Sequence, residues 1–359
     1  MTRPLRAAIR LSALRHNLNR VRMAAPASRV MAVVKANGYG HGLERVAAAL
    51  GDADGFGVAC LEEAVRLREA GIRQPITLFE GFVDPRELPE IGRLQLDIVV
   101  HHEQQLVVLE RLKKSMSLRV WFKIDSGMHR LGFPSEQARS VYARLTACDC
   151  VEEVRLFSHL AAADDRRSGY TRRQLNQFMD ITDGMKGARS LANSGAILGW
   201  PDTHLDWVRP GLMLYGISPF AGGVAADEGL QPVMTLSSRL IAVNRCKRQD
   251  AIGYGHAWVC PQDMPVGIVA AGYGDGYPRH AISGTPVLVN GRRAQIIGRV
   301  SMDMLSIDLR AHPEARVGDE VVLWGDGLPV EEVAQHAGTI PYELVCAVAP
   351  RLAEQVETD

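Results

Sequence analysis

A parallel (β/α)8 barrel followed by a mainly β domain is the α/β architecture predicted for this 359-residue chain, on three observations. Apolar strand-like runs alternate with amphipathic helical stretches from residue 10 to about 218, the pattern of a parallel sheet. Lys35, Arg130, His159, Ser194 and Arg209 each stand at or just beyond the carboxyl end of a different predicted strand. After Pro219 the texture changes to strands separated by turn residues, so the expected domains are 1–228 and 229–359.

The barrel strands are expected at 30–34, 56–59, 76–78, 96–100, 118–124, 154–159, 190–192 and 207–208. Helices are expected between them, among others at 61–70, 103–113 and 172–185. The first run, 30–34, is wholly apolar and contains three β-branched valines; the glycines at 38, 40 and 42 end it and open a helix. Periodicity alone does not separate a closed barrel from an open doubly wound sheet. Placement of the polar residues does, because barrel strand ends converge on one face whereas an open sheet spreads them along an edge. In the second domain strands are expected at 234–243, 267–271, 286–289, 294–297, 304–309 and 320–324. Asn290-Gly291 is a hairpin turn signal, and 330–337 is the only helix expected there.

Composition excludes several function classes. Basic and acidic residues balance at 41 each, which leaves no electrostatic footprint for nucleic acid. No apolar run approaches the ~20 residues that cross a bilayer, so no membrane association is expected. The amino terminus lacks a signal-peptide core, which points to a cytoplasmic location. Six cysteines are scattered without paired metal-ligand spacing; reduced thiols and no metal site are expected.

The densest chemical signal is Lys35-Ala36-Asn37-Gly38-Tyr39-Gly40-His41-Gly42, a lysine at a strand end followed by glycine-punctuated turn residues. A lysine amine held there can attack an aldehyde, although a bare strand-end lysine is more often simply exposed. The motif resembles the pyridoxal 5'-phosphate (PLP) lysine motif of the alanine racemases. The resemblance recurs in order along the chain, at Lys123-Ile124-Asp125-Ser126-Gly127-Met128-His129-Arg130, Ser158-His159, Ala192-Asn193-Ser194 and Arg209-Pro210-Gly211. It continues at Gly253-Tyr254-Gly255, Gly272-Tyr273-Gly274-Asp275-Gly276-Tyr277-Pro278-Arg279 and Gly298-Arg299-Val300-Ser301-Met302-Asp303, covering roughly residues 30 to 345.

The resemblance implies a cofactor, PLP, and a small amino-acid substrate, with L- and D-alanine interconverted by two bases on opposite faces of Cα. Lys35 matches the Schiff-base lysine and Tyr254 the second base. Arg209 matches the arginine facing the pyridine nitrogen, with His159 between it and the tyrosine. Tyr39, Ser194, Tyr342 and the amides of Gly211 and Leu212 match the phosphate contacts. Arg130 matches the residue reaching the cofactor's phenolic oxygen and the substrate carboxylate, and Met302 the one whose amide receives that carboxylate. Lys123 matches a lysine that is often carbamylated. Tyr273, Tyr277, Arg279 and Arg299 resemble residues of a narrow entrance. The family's homodimer, with Tyr254 and Met302 supplied by the partner, is implied as well, as is a role in D-alanine supply for peptidoglycan or in its breakdown. Ser158, Ser190 and Ser301 depart from the commonest pattern and leave substrate breadth open.

Each residue taken singly has a plainer reading. His159 alone would be a core histidine, Arg209 a partner of Asp206 or Asp202, Lys123 one half of a surface pair with Asp125, and a lone tyrosine a half-buried packing residue. Two other functions compete: a barrel-type PLP amino-acid decarboxylase, which would pair the ring nitrogen with an acidic residue, and a non-catalytic PLP-binding protein, which would not need the long β domain.

Overall fold

The computed structural model describes residues 3–112, 116–348 and the strand at 353–357. The chain divides into two compact units, one of residues 15–214 with 219–221, the other of residues 1–14, 215–218 and 222–359.

The first unit is a closed barrel of parallel strands β2 (Arg29–Val33), β3 (Gly55–Val58), β4 (Ile76–Leu78), β5 (Asp97–Val100), β6 (Leu118–Lys123), β7 (Val151–Phe157), β8 (Arg189–Ser190) and β9 (Trp207–Val208). It closes where β9 pairs with β2, Arg29 opposite Trp207 and Val30 opposite Val208. Most strands are buried on both faces, which is why they read as continuous apolar runs and not as alternation. The expected strand at 190–192 is shorter and earlier than the sequence suggested, Arg189–Ser190. The helices at Leu61–Glu69, Glu103–Arg111 and Tyr170–Thr182 lie where amphipathic periodicity placed them.

Inside the barrel Met31, Val99, Trp121, Phe157 and Trp207 form one buried cluster. Trp121 meets Trp207 edge-on at 6.1 Å and Phe157 at 5.9 Å, the offset arrangement that ring quadrupoles favour. Gly57 makes room for this packing, since a Cβ there would stand 2.2 Å from the Phe79 ring. On the amino-terminal side the Arg155 guanidinium covers Trp121 at 5.3 Å and Trp207 at 5.9 Å. It is itself held by buried Asp97 at 3.0 Å, which Arg119 also reaches at 2.7 Å. One end of the barrel is thereby sealed.

The second unit contains β1 (Arg6–Arg10), β10 (Met234–Cys246), the short pair β11 (Ala251–Ile252) and β12 (Trp258–Val259), β13 (Met264–Val269), β14 (Pro286–Val289), β15 (Arg292–Ile297), β16 (Leu305–Asp308), β17 (Glu320–Trp324) and β18 (Ala353–Glu357). The main sheet runs β13-β16-β15-β14-β17-β10-β1-β18, and β10 pairs again with β13 so that six strands close on themselves. The 13-residue β10 does this by irregularities at Leu236/Ser237 and Leu240/Ala242, which bend it between partners. Asn290 and Gly291, at φ 48° and 78°, make the tight turn joining β14 to β15.

Two expectations are corrected. The amino-terminal segment, placed with the barrel in the 1–228 division, supplies β1 to the β sheet, pairing antiparallel with β10 and parallel with β18. Adjacency in sequence was a poor guide because β1 finds its partners more than 200 residues away. A helix at Pro341–Cys346 follows the expected one at Val330–His336; its proline at the first turn is a helix start that the strand-rich surroundings masked.

Trp121 is fully buried at the centre of the barrel cluster. Trp121→Ala is expected to lower the unfolding free energy by about 3–5 kcal/mol, the range for large aromatic truncations, as measured by urea denaturation.

Candidate active site

Lys35 leaves the carboxyl end of β2 into a turn of unusual conformation. Ala36, Asn37 and Tyr39 are left-handed, at φ 55°, 54° and 50°, and Gly38 lies between them at 61°. A left-handed L-residue costs roughly 1–2 kcal/mol, so this turn persists only because neighbours over-determine it. The Gly38 amide donates to Val34 O at 2.8 Å and that of Gly42 to Asn37 O at 2.9 Å. The Asn37 amide donates to Glu63 Oε1 at 3.2 Å, while its side-chain oxygen accepts from the Leu43 amide and from Arg66 Nη2. The His41 ring, fully buried, closes on the Gly38 and Tyr39 carbonyls. Lys35 itself is half-buried.

Arg209, the first residue beyond β9, is 3 % exposed. Its Nη1 donates to Ser190 Oγ at 2.6 Å, and its Nη2 to the Ser158 carbonyl at 2.6 Å and the Leu191 carbonyl at 3.2 Å. The plane lies over the Phe157 ring at 4.0 Å. Burial pushes its pKa down to about 9, which still leaves the cation intact at neutral pH. Among the described residues no carboxylate pairs with it, so Asp206 and Asp202 are not its partners; Asp206 instead accepts from the Arg189 amide. In the sequence Ser158 and Ser190 stand out only as departures from the family pattern. The structure makes them holders of Arg209, a role whose only sequence signal is their position at strand ends.

His159 lies just beyond β7, half-buried, with Nδ1 3.3 Å from Arg209 Nη2. A guanidinium can only donate, so Nδ1 is the acceptor and the proton sits on Nε2. Burial, then Arg209, Lys123, Arg130 and Lys35, hold its pKa well below the usual histidine value, so the ring is neutral.

Ser194 opens the short helix Ser194–Gly199, and its hydroxyl accepts from the amides of Gly211 at 3.0 Å and Met213 at 3.3 Å. The Leu212 amide between them makes no hydrogen bond among the described residues. A Cβ on Gly211 would stand 2.6 Å from the Tyr39 hydroxyl, so only glycine lets that tyrosine approach. A hydroxyl from Ser194, another from Tyr39 and backbone amides thus gather around one small space, a donor set suited to a phosphate.

Lys123 is buried at the end of β6, its ammonium 5.1 Å from the Phe157 ring. It is not one half of an exposed ion pair. Desolvation first, then Arg209, Arg130 and Lys35, bring its pKa down to about 7, against a smaller opposing pull from Asp125. Arg130 is exposed on the loop after β6, where Asp125 accepts from the amides of Gly127 and His129. Lys35, Lys123, Arg130 and Arg209 together make this end of the barrel strongly cationic, a setting for an anionic cofactor and a substrate carboxylate.

The other candidates lie in the β unit. Tyr254 is 70 % exposed, between Gly253 and Gly255 at φ 69° and 68°. Met302 is 54 % exposed; its carbonyl accepts from the Gly274 amide, and its own amide makes no hydrogen bond among the described residues. Gly272 is required beside it, as a Cβ there would lie 2.4 Å from Met302 O. Tyr342 is partly exposed in its helix. Tyr277, expected at an entrance, is instead a core residue stacked on Trp324 at 5.8 Å, and burial raises its pKa.

A parallel barrel with a lysine, a carboxylate-free arginine and a phosphate-shaped donor set at its carboxyl-terminal end defines a PLP-type amino-acid enzyme. Known proteins make the class specific. The family described as alanine racemase, N-terminal domain, matches residues 9–219, and alanine racemase, C-terminal domain, matches 233–356. The alanine racemase of Nitrosococcus oceani is 56 % identical over 353 residues, 98 % of this chain and 99 % of that protein. That of Vibrio parahaemolyticus is 53 % identical over 348 residues, 97 % of each. Among solved structures, the biosynthetic alanine racemase from Pseudomonas aeruginosa superposes with a TM-score of 0.97 at 47 % identity, covering 99 % of this chain and 100 % of that one. The Acinetobacter baumannii alanine racemase gives 0.94 at 39 %, with 99 % and 100 % covered. The chain belongs to the alanine racemase family. Its activity is the PLP-dependent interconversion of L- and D-alanine, as the sequence motifs implied.

The depressed Lys123 pKa has a definite consequence. A lysine that holds its proton to pH ~10.4 when unfolded but only to about 7 when folded penalises the folded state fully below pH 7. The penalty fades as pH rises from about 7 towards 10.4. In CO2-free buffer, wild-type unfolding free energy is therefore expected to gain up to about 2–3 kcal/mol between pH 7 and 9 relative to Lys123→Met. Parallel curves for the two proteins, measured by urea titration, would show that Lys123 is not a buried free amine.

Proposed function

We propose that Lys35 attaches the cofactor and moves the α-proton on one face of the substrate, while Tyr254 moves it on the other. The observation that carries this reading is the gathering of Lys35, His159, Ser194, Arg209 and Gly211 at the carboxyl ends of the barrel strands. Bound PLP supplies a conjugated, electron-accepting ring that takes up the charge left at Cα. The protein does the rest. Ser194, Tyr39, Tyr342 and the amides of Gly211 and Leu212 hold the phosphate. Arg209 faces the ring nitrogen as a cation that keeps its proton, and neutral acceptors, the Ser190 hydroxyl oxygen and the Ser158 carbonyl, support it. This arrangement favours racemisation over decarboxylase-type chemistry, which would place a carboxylate there. His159, neutral and with Nε2–H directed away from Arg209, links that cation to the tyrosine base. Arg130 and the Met302 amide, which makes no hydrogen bond among the described residues, receive the substrate carboxylate.

The working unit in this reading is a homodimer with composite sites. Its support is the character of the β-unit surface, where Tyr254, Val259, Tyr273, Ile282, Met302 and Met304 are all exposed. Such apolar exposure marks a surface that another molecule covers, and a second copy would bring Tyr254 and Met302 with it. No helix among the described residues is long and apolar enough to cross a membrane. We place the enzyme in the cytoplasm, supplying D-alanine for peptidoglycan or consuming it in catabolism.

Lys35→Ala is expected to lose the yellow absorbance, the borohydride-reducible cofactor and racemisation together. A reducible adduct that survives in the variant would assign attachment to a different lysine. Mixing inactive Lys35→Ala with inactive Tyr254→Phe tests the shared site, since exchanged subunits bring an intact lysine and an intact tyrosine together. Each heterodimer should regain up to one working site of its two. Subunit exchange seen by native mass spectrometry without returning activity would place both bases in one chain.

A further inference from the structure

We propose that Tyr170 and Gln174, one turn apart on the helix Tyr170–Thr182, are a positioning pair that sets two site loops from behind. The inference rests on the roles given above to Arg130 and His159.

Gln174 is 1 % exposed, and both ends of its amide are used on main chain flanking His159. Its Oε1 accepts from the Ala161 amide at 2.8 Å, and its Nε2 donates to the His159 carbonyl at 3.0 Å. A buried amide with both functions satisfied by one loop holds that loop in a single placement, because any shift strands a polar group away from water. His159 in turn lies against Arg209 at 3.3 Å, so Gln174 determines the registration of the histidine on the arginine.

Tyr170 does the same for the loop that carries Arg130. Its hydroxyl donates to the Gly127 carbonyl at 2.6 Å. Gly127 has φ 121°, and a Cβ on it would lie 3.0 Å from that hydroxyl and 3.5 Å from Gln174 Cγ. The glycine of Asp125-Ser126-Gly127-Met128 is thus explained by close approach to this helix as well as by its backbone angle. From the other side, Asp125 binds the Gly127 and His129 amides at 2.9 and 3.0 Å. The turn preceding Arg130 is clamped between these two contacts, while Arg130 itself is exposed. Both residues act through others and are positioning residues. Because the pair serves separate loops, its two members should affect different kinetic constants.

The test uses the holoenzyme. Tyr170→Phe removes one hydroxyl and is expected to raise KM for both alanine enantiomers about three- to tenfold, the loss of one hydrogen bond. The inhibition constant of propionate, a carboxylate probe with no amine, should rise in parallel, with kcat held within about twofold. Gln174→Met keeps the shape of the side chain but removes both bonds; kcat should fall about tenfold with little change in KM. If Met at this position prevents folding, Gln174→Glu retains the acceptor for Ala161, loses the donor to His159 and should give the same kcat loss. Unchanged constants in folded variants would overturn the proposal, as would kcat and KM moving together with thermal stability in both variants. Arg130→Ala separates this inference from the reading beneath it. If that variant leaves propionate binding unchanged, the role of Arg130 fails. If it weakens propionate while Tyr170→Phe does not, only the positioning role fails.

Discussion

Closure of the parallel ladder is the constraint on which the site depends. β9 contributes only Trp207 and Val208, yet by pairing with β2 it joins the two ends of a 180-residue stretch of chain. The bond from the Val33 amide to Pro210 O extends that seam beyond the strands. Lys35 and Arg209 become neighbours for this reason, and Gly211 comes within reach of Tyr39. The Trp121–Trp207–Phe157 cluster beneath the seam makes closure favourable, and the Arg155–Asp97 pair seals the side away from the site.

On this frame the buried Arg209 keeps its positive charge with no carboxylate partner among the described residues. Arg209 is held by a serine hydroxyl and by backbone carbonyls. These satisfy its hydrogen bonds without neutralising its charge, which remains available to a ligand. Burial first, and then the same field, keep His159 neutral and bring Lys123 close to neutrality at physiological pH. An unprotonated amine is the form of lysine that reacts with CO2. The strain after Lys35 belongs to the same design: a left-handed turn directs the lysine, and bonds from the Glu63 and Arg66 helix keep it from relaxing.

Much of this was legible in the chain. Eight apolar runs, each near its final place, announced a parallel sheet because both faces of such a strand are buried and leave no alternation to misread, and the polar residues at their carboxyl ends pointed to the barrel. The lysine motif was legible because it packs a strand end, a left-handed turn and a helix start into eight residues, each with its own residue requirement. Ser158, Ser190, Tyr170 and Gln174 were not legible. Their work is done by bonds to atoms on other strands and loops, and nothing local distinguishes a serine that holds an arginine from one facing water.

The sequence by itself determined the order of elements, the chemical types available and, through ordered motifs, the family. Local propensity and residue chemistry suffice for those. Tertiary structure alone decided that β1 belongs to the β sheet, that Tyr277 stacks in a core, and that Arg209 is held by Ser190 and by the carbonyls of Ser158 and Leu191. Each of these is a contact between residues far apart in the chain, set by which surfaces the closed sheets bring together.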